Sequence, residues 1–403
     1  MFLILLNNML FIFFVLFIFK SVICVISISF EKSIDINNID NFIYNPFLSI
    51  IEIGNPKNKI NIYFTLDNYY TFIPSQFYEK HPSKNLKHLD SNLNNYSYLK
   101  KNISGYYSID SFYLKNSFEN KIIELNYSFI YVESSEKNII NNGIIGLQIN
   151  KNKKNFLNYL FEKNIINSYI FTVKFTSNNK GEIIFGDYPH IYDNNYNEKN
   201  LKIISSDKEF MIKFEEIIFS NYQKDDIRYA KFSLELKGII GSFLYRKFIN
   251  ENFFEIYLIN NKCIYKLINN EYYIYICRDI DIQKFPTLTF QSNVLKINFE
   301  LGYKDLFIKE NDIFYFLIFF EKISSFKWIL GEPFLKKYQL IINSQEGIIG
   351  FYNFIGKKNN LFFIFLIILC FICILILSGL IFKLLFFKKK KIKANELENF
   401  LLN

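Results

Sequence analysis

Short runs in which apolar and polar residues alternate recur between positions 47 and 344, separated by Asn, Asp, Gly and Lys. FLSIIEIG (47–54), KINIYFTL (59–66), GEIIFG (181–186), FPTLTFQ (285–291) and YQLIINS (338–344) place β-branched and aromatic residues at strand spacing. Helical spacing is confined to NFLNYLFEKN (155–164), SFLYRKFINENFF (242–254) and EPFLKKY (332–338). The pattern predicts a mainly β body of two lobes. With 403 residues, half of them hydrophobic, the chain can bury a core in each.

Both ends break the alternation. MFLILLNNMLFIFFVLFIFKSVICVIS (1–27) is apolar apart from a few positions such as Asn7, Asn8 and Lys20, and is expected to be a secretory signal peptide. A retained signal anchor is the alternative, because no Lys or Arg precedes the apolar run. Leu361 to Phe382 is an uncharged apolar run of 22 residues. At about 1.5 Å per residue it reaches roughly 33 Å, enough for one transmembrane helix. A buried core helix fits poorly, since Lys383 and KKKKIK (388–393) follow directly. Those lysines place residues 383–403 in the cytosol as a basic tail. The expectation is a single-pass type I membrane protein of the secretory or endolysosomal pathway or cell surface, with its ectodomain lumenal or extracellular.

The formal net charge of +9 changes little in this picture, because six lysines and two glutamates in the tail supply about +4 of it. The ectodomain is mildly basic, and nucleic acid is not an expected partner. Heavy use of Phe, Tyr, Ile, Asn and Lys reflects A/T-rich codons and lowers the weight of motifs built from them alone. The terminal ELENFLL lacks an acid where an acidic dileucine signal needs one, at Leu397. Of five cysteines, Cys24 lies in the leader and Cys370 and Cys373 in the span, leaving Cys263 and Cys277 to form one disulfide. Asn95, Asn102 and Asn126 head sequons and are glycosylation candidates. His81, His88 and His190 have no metal-ligand spacing and no triad motif around them, and no phosphate loop is present, so neither metal nor cofactor is expected.

One motif occurs twice. Phe64-Thr65-Leu66-Asp67 and Phe232-Ser233-Leu234-Glu235 are each aromatic, hydroxyl, leucine, acid, and each follows a strand-like run. Ile53-Gly54-Asn55-Pro56 precedes the first copy and Ile73-Pro74-Ser75 follows it. This frame resembles the pepsin-like aspartic protease family, in which each such loop carries Asp-Thr/Ser-Gly. Counting inward from either side of the frame puts the family's first aspartate on Thr65. AKFSLELKGIIGS aligns with the second loop and puts its aspartate on Ser233.

The resemblance extends over about residues 47–354. SYLKKNISGYYSIDSF (97–112) is similar to the family's flap hairpin, with Tyr98 at the flap tyrosine position. NGIIGL (142–147) and WILGEPFL (328–335) are similar to the hydrophobic-hydrophobic-Gly segments that thread beside each loop. Cys263 and Cys277 flank the segment of the family's second-lobe disulfide. The implied fold is a bilobal double β-domain with a central cleft, an N-terminal lobe over 28–190 and a C-terminal lobe over 191–356. The stretch between the leader and the first lobe strand is short for the family's inhibitory prosegment.

The chemistry departs from the pattern. Aspartic proteolysis needs two carboxylates that share one proton, and the family positions here hold Thr65 and Ser233. A hydroxyl without a base cannot take a proton from water at acid or neutral pH. Losing positioned acid–base catalysis costs about 10²–10⁴ in rate. Asp67 and Glu235 stand two residues on, where the family has Gly, and alternation puts residues i and i+2 on one face. A relocated Asp67/Glu235 pair is therefore the alternative, set against a displacement of about 6.6 Å along the strand. Solvated or structural acids are the simpler reading. Leu99, Lys100 and Lys101 crowd the flap tip, so Tyr98 reads equally as a ligand contact or as a partly exposed hairpin tyrosine. The resemblance thus implies a monomeric, membrane-anchored, catalytically inactive homologue binding a peptide or protein in the cleft. The alternatives are an active aspartic endopeptidase using Asp67 and Glu235, and an inert surface protein.

Overall fold

The structure, a computed structural model, describes residues 24–32, 42–98, 101–135, 141–148, 155–177, 179–206, 210–219, 223–322 and 328–352. These belong to one compact unit, Met1–Asn353. Most of the expected leader, the expected span 361–382 and the tail lie outside the described residues. Among the described residues no helix is long and apolar enough to cross a membrane.

The body is mainly β and divides into three sheets. One is built from strands of the first half, running from Ser49–Ile53 through Asn58–Thr65 and Gly143–Gly146 to the long hairpin Lys101–Asn116 and Lys121–Ser135. A second is built from the second half, between Met211–Phe219 and Trp328–Leu330. The third is shared. Ile26–Glu31, Lys180–Phe185 and Ile170–Phe175 continue through Leu340–Asn343 and Ile348–Tyr352 to Leu201–Ser205. Its seam is the antiparallel pairing of Ile170 with Asn343 and Phe171 with Ile342. All five strand runs and three helical runs read from the pattern form at those places, the first helix as Phe156–Glu162 and the last as Glu332–Lys337.

Alternation explains the layering. Along Asn58–Thr65 the inward positions Ile60, Ile62 and Phe64 are buried while Lys59 and Asn61 are exposed. Phe64, Phe232, Trp328, Phe334 and Phe351 join one large aromatic core. Burying each such side chain stabilises the fold by on the order of 2–3 kcal/mol. Cys263 and Cys277 face each other across the antiparallel pair Cys263–Ile268 and Tyr272–Arg278, and the disulfide between them is formed.

Two features near the N-terminus bear on the boundaries read from the sequence. Ile26–Glu31 is a strand whose Ile26 and Ser27 pair with Phe185 and Ile184, so the last residues assigned to the leader lie inside the sheet. After Lys20-Ser21 the expected leader's last residues, VICVIS, run straight into this strand, which hides the boundary. Residues 42–45 likewise belong to the folded body. Phe42 and Ile43 are buried against Leu236, Ile240 and Phe319 of the second half, and Lys237 N–H donates to the Ile43 carbonyl.

Candidate functional site

The two quartets end equivalent strands. Asn58–Thr65 lies parallel to Gly143–Gly146, with Thr65 opposite Gly146. Gln223–Phe232 lies parallel to Trp328–Leu330, with Phe232 opposite Leu330. In each half the chain then loops out and returns antiparallel on the far side of the same threaded strand, at Phe72 and at Ile240. Leu147 N–H donates to the Thr65 carbonyl, and Ser233 N–H donates to the Leu330 carbonyl. Only glycine fits where thread meets loop. A Cβ on Gly146 would sit 2.5 Å from the carbonyl oxygens of Asn68 and Tyr70, and one on Gly331 would sit 2.2 Å from that of Gly238.

Within each loop the hydroxyl is turned back on its own backbone. Thr65 Oγ1 accepts from Asp67 N–H at 3.0 Å, and Ser233 Oγ accepts from Glu235 N–H at 3.3 Å. Both residues are buried, as are Leu66 and Leu234. The matched geometry accounts for the matched sequence: hydroxyl and acid are joined through the turn, and the leucine between them points into the core.

The acids differ. Asp67 is half-buried and forms an ion pair with Lys231 of the opposite half. Glu235 is only 4 % exposed. Its carboxylate accepts from the Tyr98 phenol at 2.9 Å and is also hydrogen bonded to the Thr65 hydroxyl. Burial pushes its pKa up from 4.5 to about 7, and the charge of Asp67 adds to the rise; the Thr65 and Tyr98 hydrogen bonds and the charge of Lys231 oppose it. Of solvated or structural acids, Glu235 is placed as a structural one, buried beneath the flap. The Glu235 carboxyl feels the charge of Asp67, but the two acids are held by different partners.

Tyr98 ends the strand Asn94–Tyr98, which pairs with Lys101–Asn116. It is 2 % exposed and packs against Phe72, Ile103 and Ile144, so the partly exposed hairpin tyrosine is also corrected. Its hydroxyl lies 3.3 Å from that of Tyr63, and burial followed by the Glu235 charge drives its pKa well above the ordinary tyrosine range. Asn68 Nδ2 donates to the Ser97 carbonyl at 3.2 Å. The flap is thus fastened down at two adjacent residues. Beside it lies a hollow of about 540 Å³ lined by Asp67, Tyr69, Tyr70 and Tyr96 with Asn94 and Asn95.

The sequon asparagines Asn95, Asn102 and Asn126 are exposed. His88 Nδ1 is 2.8 Å from Ser108 Oγ, and His190 Nδ1 is 2.7 Å from the Tyr352 hydroxyl, so both are locally bonded. Sequence reasoning missed Lys231, Tyr63 and Asn68. Lys231 was open to detection, because alternation puts Lys231, Ser233 and Glu235 on one face of an extended run. Asn68 and Tyr63 carry no such signal, since their roles depend on the flap folding back.

No curated protein matches this chain in sequence. A family model described as eukaryotic aspartyl protease matches residues 48–353. That span takes in both quartets, both threaded glycine segments, the flap hairpin and the disulfide, and the chain belongs to the eukaryotic aspartyl protease family.

Proposed function

We propose that this chain is a membrane-anchored, bilobal pepsin-like protein that does not cleave peptides and instead binds a peptide or protein partner. The observation that carries the reading is the engagement of every group at the dyad position. Thr65 and Ser233 hydroxyls cap their own loops, Glu235 is covered by Tyr98, and Asp67 is bound to Lys231. A water between the lobes would find no pair of carboxylates sharing a proton, the arrangement this chemistry requires. The hollow beside the flap offers tyrosine faces, asparagine amides and the Asp67 carboxylate, a mixture suited to peptide recognition. In this reading the chain is monomeric, anchored through 361–382 with 383–403 in the cytosol. The N-terminal and C-terminal lobes face the lumen or exterior and carry glycans.

A second reading is kept by one observation. Glu235 holds its proton to about pH 7 partly because Asp67 is near, and a carboxyl tuned toward neutrality beside an ionisable neighbour is a feature of catalytic acids. In that case the protein is an aspartic endopeptidase using Asp67 and Glu235.

The test uses the full chain in detergent against a broad fluorogenic peptide library from pH 3 to 7, with and without pepstatin. The control is the triple variant Thr65→Ala, Asp67→Ala, Glu235→Ala. Turnover no higher than the control supports the binding protein. Pepstatin-sensitive turnover lost in Asp67→Asn or Glu235→Gln establishes the endopeptidase.

A further inference from the structure

On the other side of the loop that carries Glu235 lies a second cavity, of about 520 Å³, whose walls come from both halves of the molecule. Five lysines line it, Lys32, Lys237, Lys304, Lys336 and Lys337, against two acids, Glu332 and Asp305. The acids are already occupied. Glu332 forms ion pairs with Lys32 and, at 2.6 Å, with Lys336, while Asp305 pairs with Lys337 at 2.9 Å. The walls therefore carry three positive charges in excess.

Lys237 is the unusual member. It is 5 % exposed, and among the described residues no carboxylate or hydrogen-bond acceptor is bonded to its ammonium. Its nearest partner is the face of the Phe42 ring, 4.2 Å away. A cation–π contact offsets only part of the penalty for burying an ammonium. Burial lowers its pKa to about 8 and the charges of Lys32 and Lys336 add to the fall, while the charges of Glu332 and Glu310 oppose it only in part. A stability-driven sequence would place an apolar side chain here, since replacing a buried charge by an apolar residue is often neutral or stabilising. A buried ammonium that neighbouring carboxylates compensate only in part, facing a cavity with excess positive charge, suits a ligand that brings further negative charge.

We propose that this cavity is a binding site for a small, multiply charged oxyanion, a phosphate or sulfate ester of about monosaccharide size, with Lys237 at its floor and Lys304 at its rim. The excess of three positive charges suits a dianion rather than a single carboxylate. The volume falls within the range of small-molecule sites and exceeds what one inorganic phosphate fills. Ammonium groups bind such oxyanions as point charges. Phe307, Ile308, Leu317 and Pro333 supply an apolar wall for the ester's carbon skeleton. The site takes Lys237 from this loop and no residue of the flap hairpin, and does not depend on whether the protein is a protease.

The experiment is calorimetric titration of the full chain in detergent with glucose 6-phosphate, glucose 6-sulfate and inorganic phosphate at constant ionic strength. It is repeated on Lys237→Met, Lys304→Ala and, as a control, the exposed first-half lysine variant Lys59→Met. One ester is expected to bind saturably with one site per chain, and inorganic phosphate more weakly. Lys237→Met should weaken it at least tenfold while leaving the melting temperature of the unliganded protein unchanged or higher. Lys304→Ala should weaken it severalfold, and Lys59→Met should leave it unchanged. Preference for phosphate over sulfate, or the reverse, identifies the ester. No saturable binding of either ester, or equal affinity in wild type, Lys237→Met and Lys304→Ala, overturns the proposal.

Discussion

Tyr98 and Glu235 stand 137 positions apart in the chain, and the phenol of one donates to the carboxylate of the other across 2.9 Å. This contact joins the flap of the first half to the loop of the second.

Removing the phenol tests the latch. Tyr98→Phe leaves an ionised, buried Glu235 short of a donor, which should cost about 1–3 kcal/mol at pH 8. The cost should shrink at pH 5, where Glu235 is protonated and needs the donor less. Urea unfolding at the two pH values measures the difference, and an equal loss at both would show that the hydrogen bond does not depend on the carboxylate's charge.

Glu235 makes stability depend on pH in a definite direction. Its carboxyl is raised to about 7 in the folded chain against 4.5 ordinarily. Between those values the native state keeps a proton that the unfolded chain releases. Its contribution is complete below pH 4.5 and is lost as pH rises through 7. The loss amounts to about 3 kcal/mol, since each tenfold difference in proton affinity between the folded and unfolded chain is worth about 1.4 kcal/mol. Glu235→Gln cannot titrate and should gain on wild type by this amount between pH 4 and pH 8. Parallel stability curves for the two proteins would refute the assignment.

The threaded glycines are predicted to be irreplaceable. Gly146→Ala and Gly331→Ala each drive a methyl into backbone carbonyls that cannot retreat without opening the sheet, at a cost of at least about 3 kcal/mol. Gly302→Ala, where nothing lies within 4 Å of the added methyl, serves as a control and should change little. Soluble yield and denaturant midpoint of the three variants decide the matter.

Opening the disulfide should be costly because it closes a loop with a sequence separation of 14 between Cys263 and Cys277. The double variant Cys263→Ser, Cys277→Ser is expected to lose about 3 kcal/mol, the loop-closure value for that length. A thermal shift of less than a degree would mean that the sheet alone fixes this hairpin.

The first strand makes the expected removal of a leader testable at one boundary. A protein starting at Ile28 lacks Ile26, which is 2 % exposed, and Ser27, whose hydroxyl donates to Glu182 at 2.5 Å. It should be less stable than one starting at Val25 by about 2–4 kcal/mol. If a leader is removed on expression, mass spectrometry should find the new N-terminus at or before Val25. A terminus at Ile28 with undiminished stability would mean that these pairings contribute nothing.

Much of the fold was legible because alternation is written locally. Ile60, Ile62 and Phe64 announce their strand without help from elsewhere, and the order of turn, quartet and glycine thread carried the family. What was not legible depends on distant partners. Glu235 reads as a solvated or structural acid, or as half of a relocated pair, until Tyr98 covers it. Tyr98 reads as exposed beside Leu99, Lys100 and Lys101 until Phe72 and Ile144 surround it. Lys237 gives no sign of burial until Phe42 and Ile43, almost 200 positions earlier by the numbering, fold onto its loop. The strand at Ile26 was concealed because VICVIS, directly before and within it, has the apolar composition expected of a leader.

The shared sheet has a consequence for the order in which the molecule can be made. Ile170–Phe175 is an interior strand whose second neighbour is Leu340–Asn343, and that neighbour leaves the ribosome some 170 residues later. Throughout that interval the first half carries an unpaired edge flanked by Phe171 and Val173, the kind of edge that recruits other chains. The shared sheet is completed only once Leu340–Asn343 and Ile348–Tyr352 have been made and pair into it. A stop codon shortly before Leu340 should therefore yield an aggregating polypeptide, even though nearly all of the core-forming residues are already present.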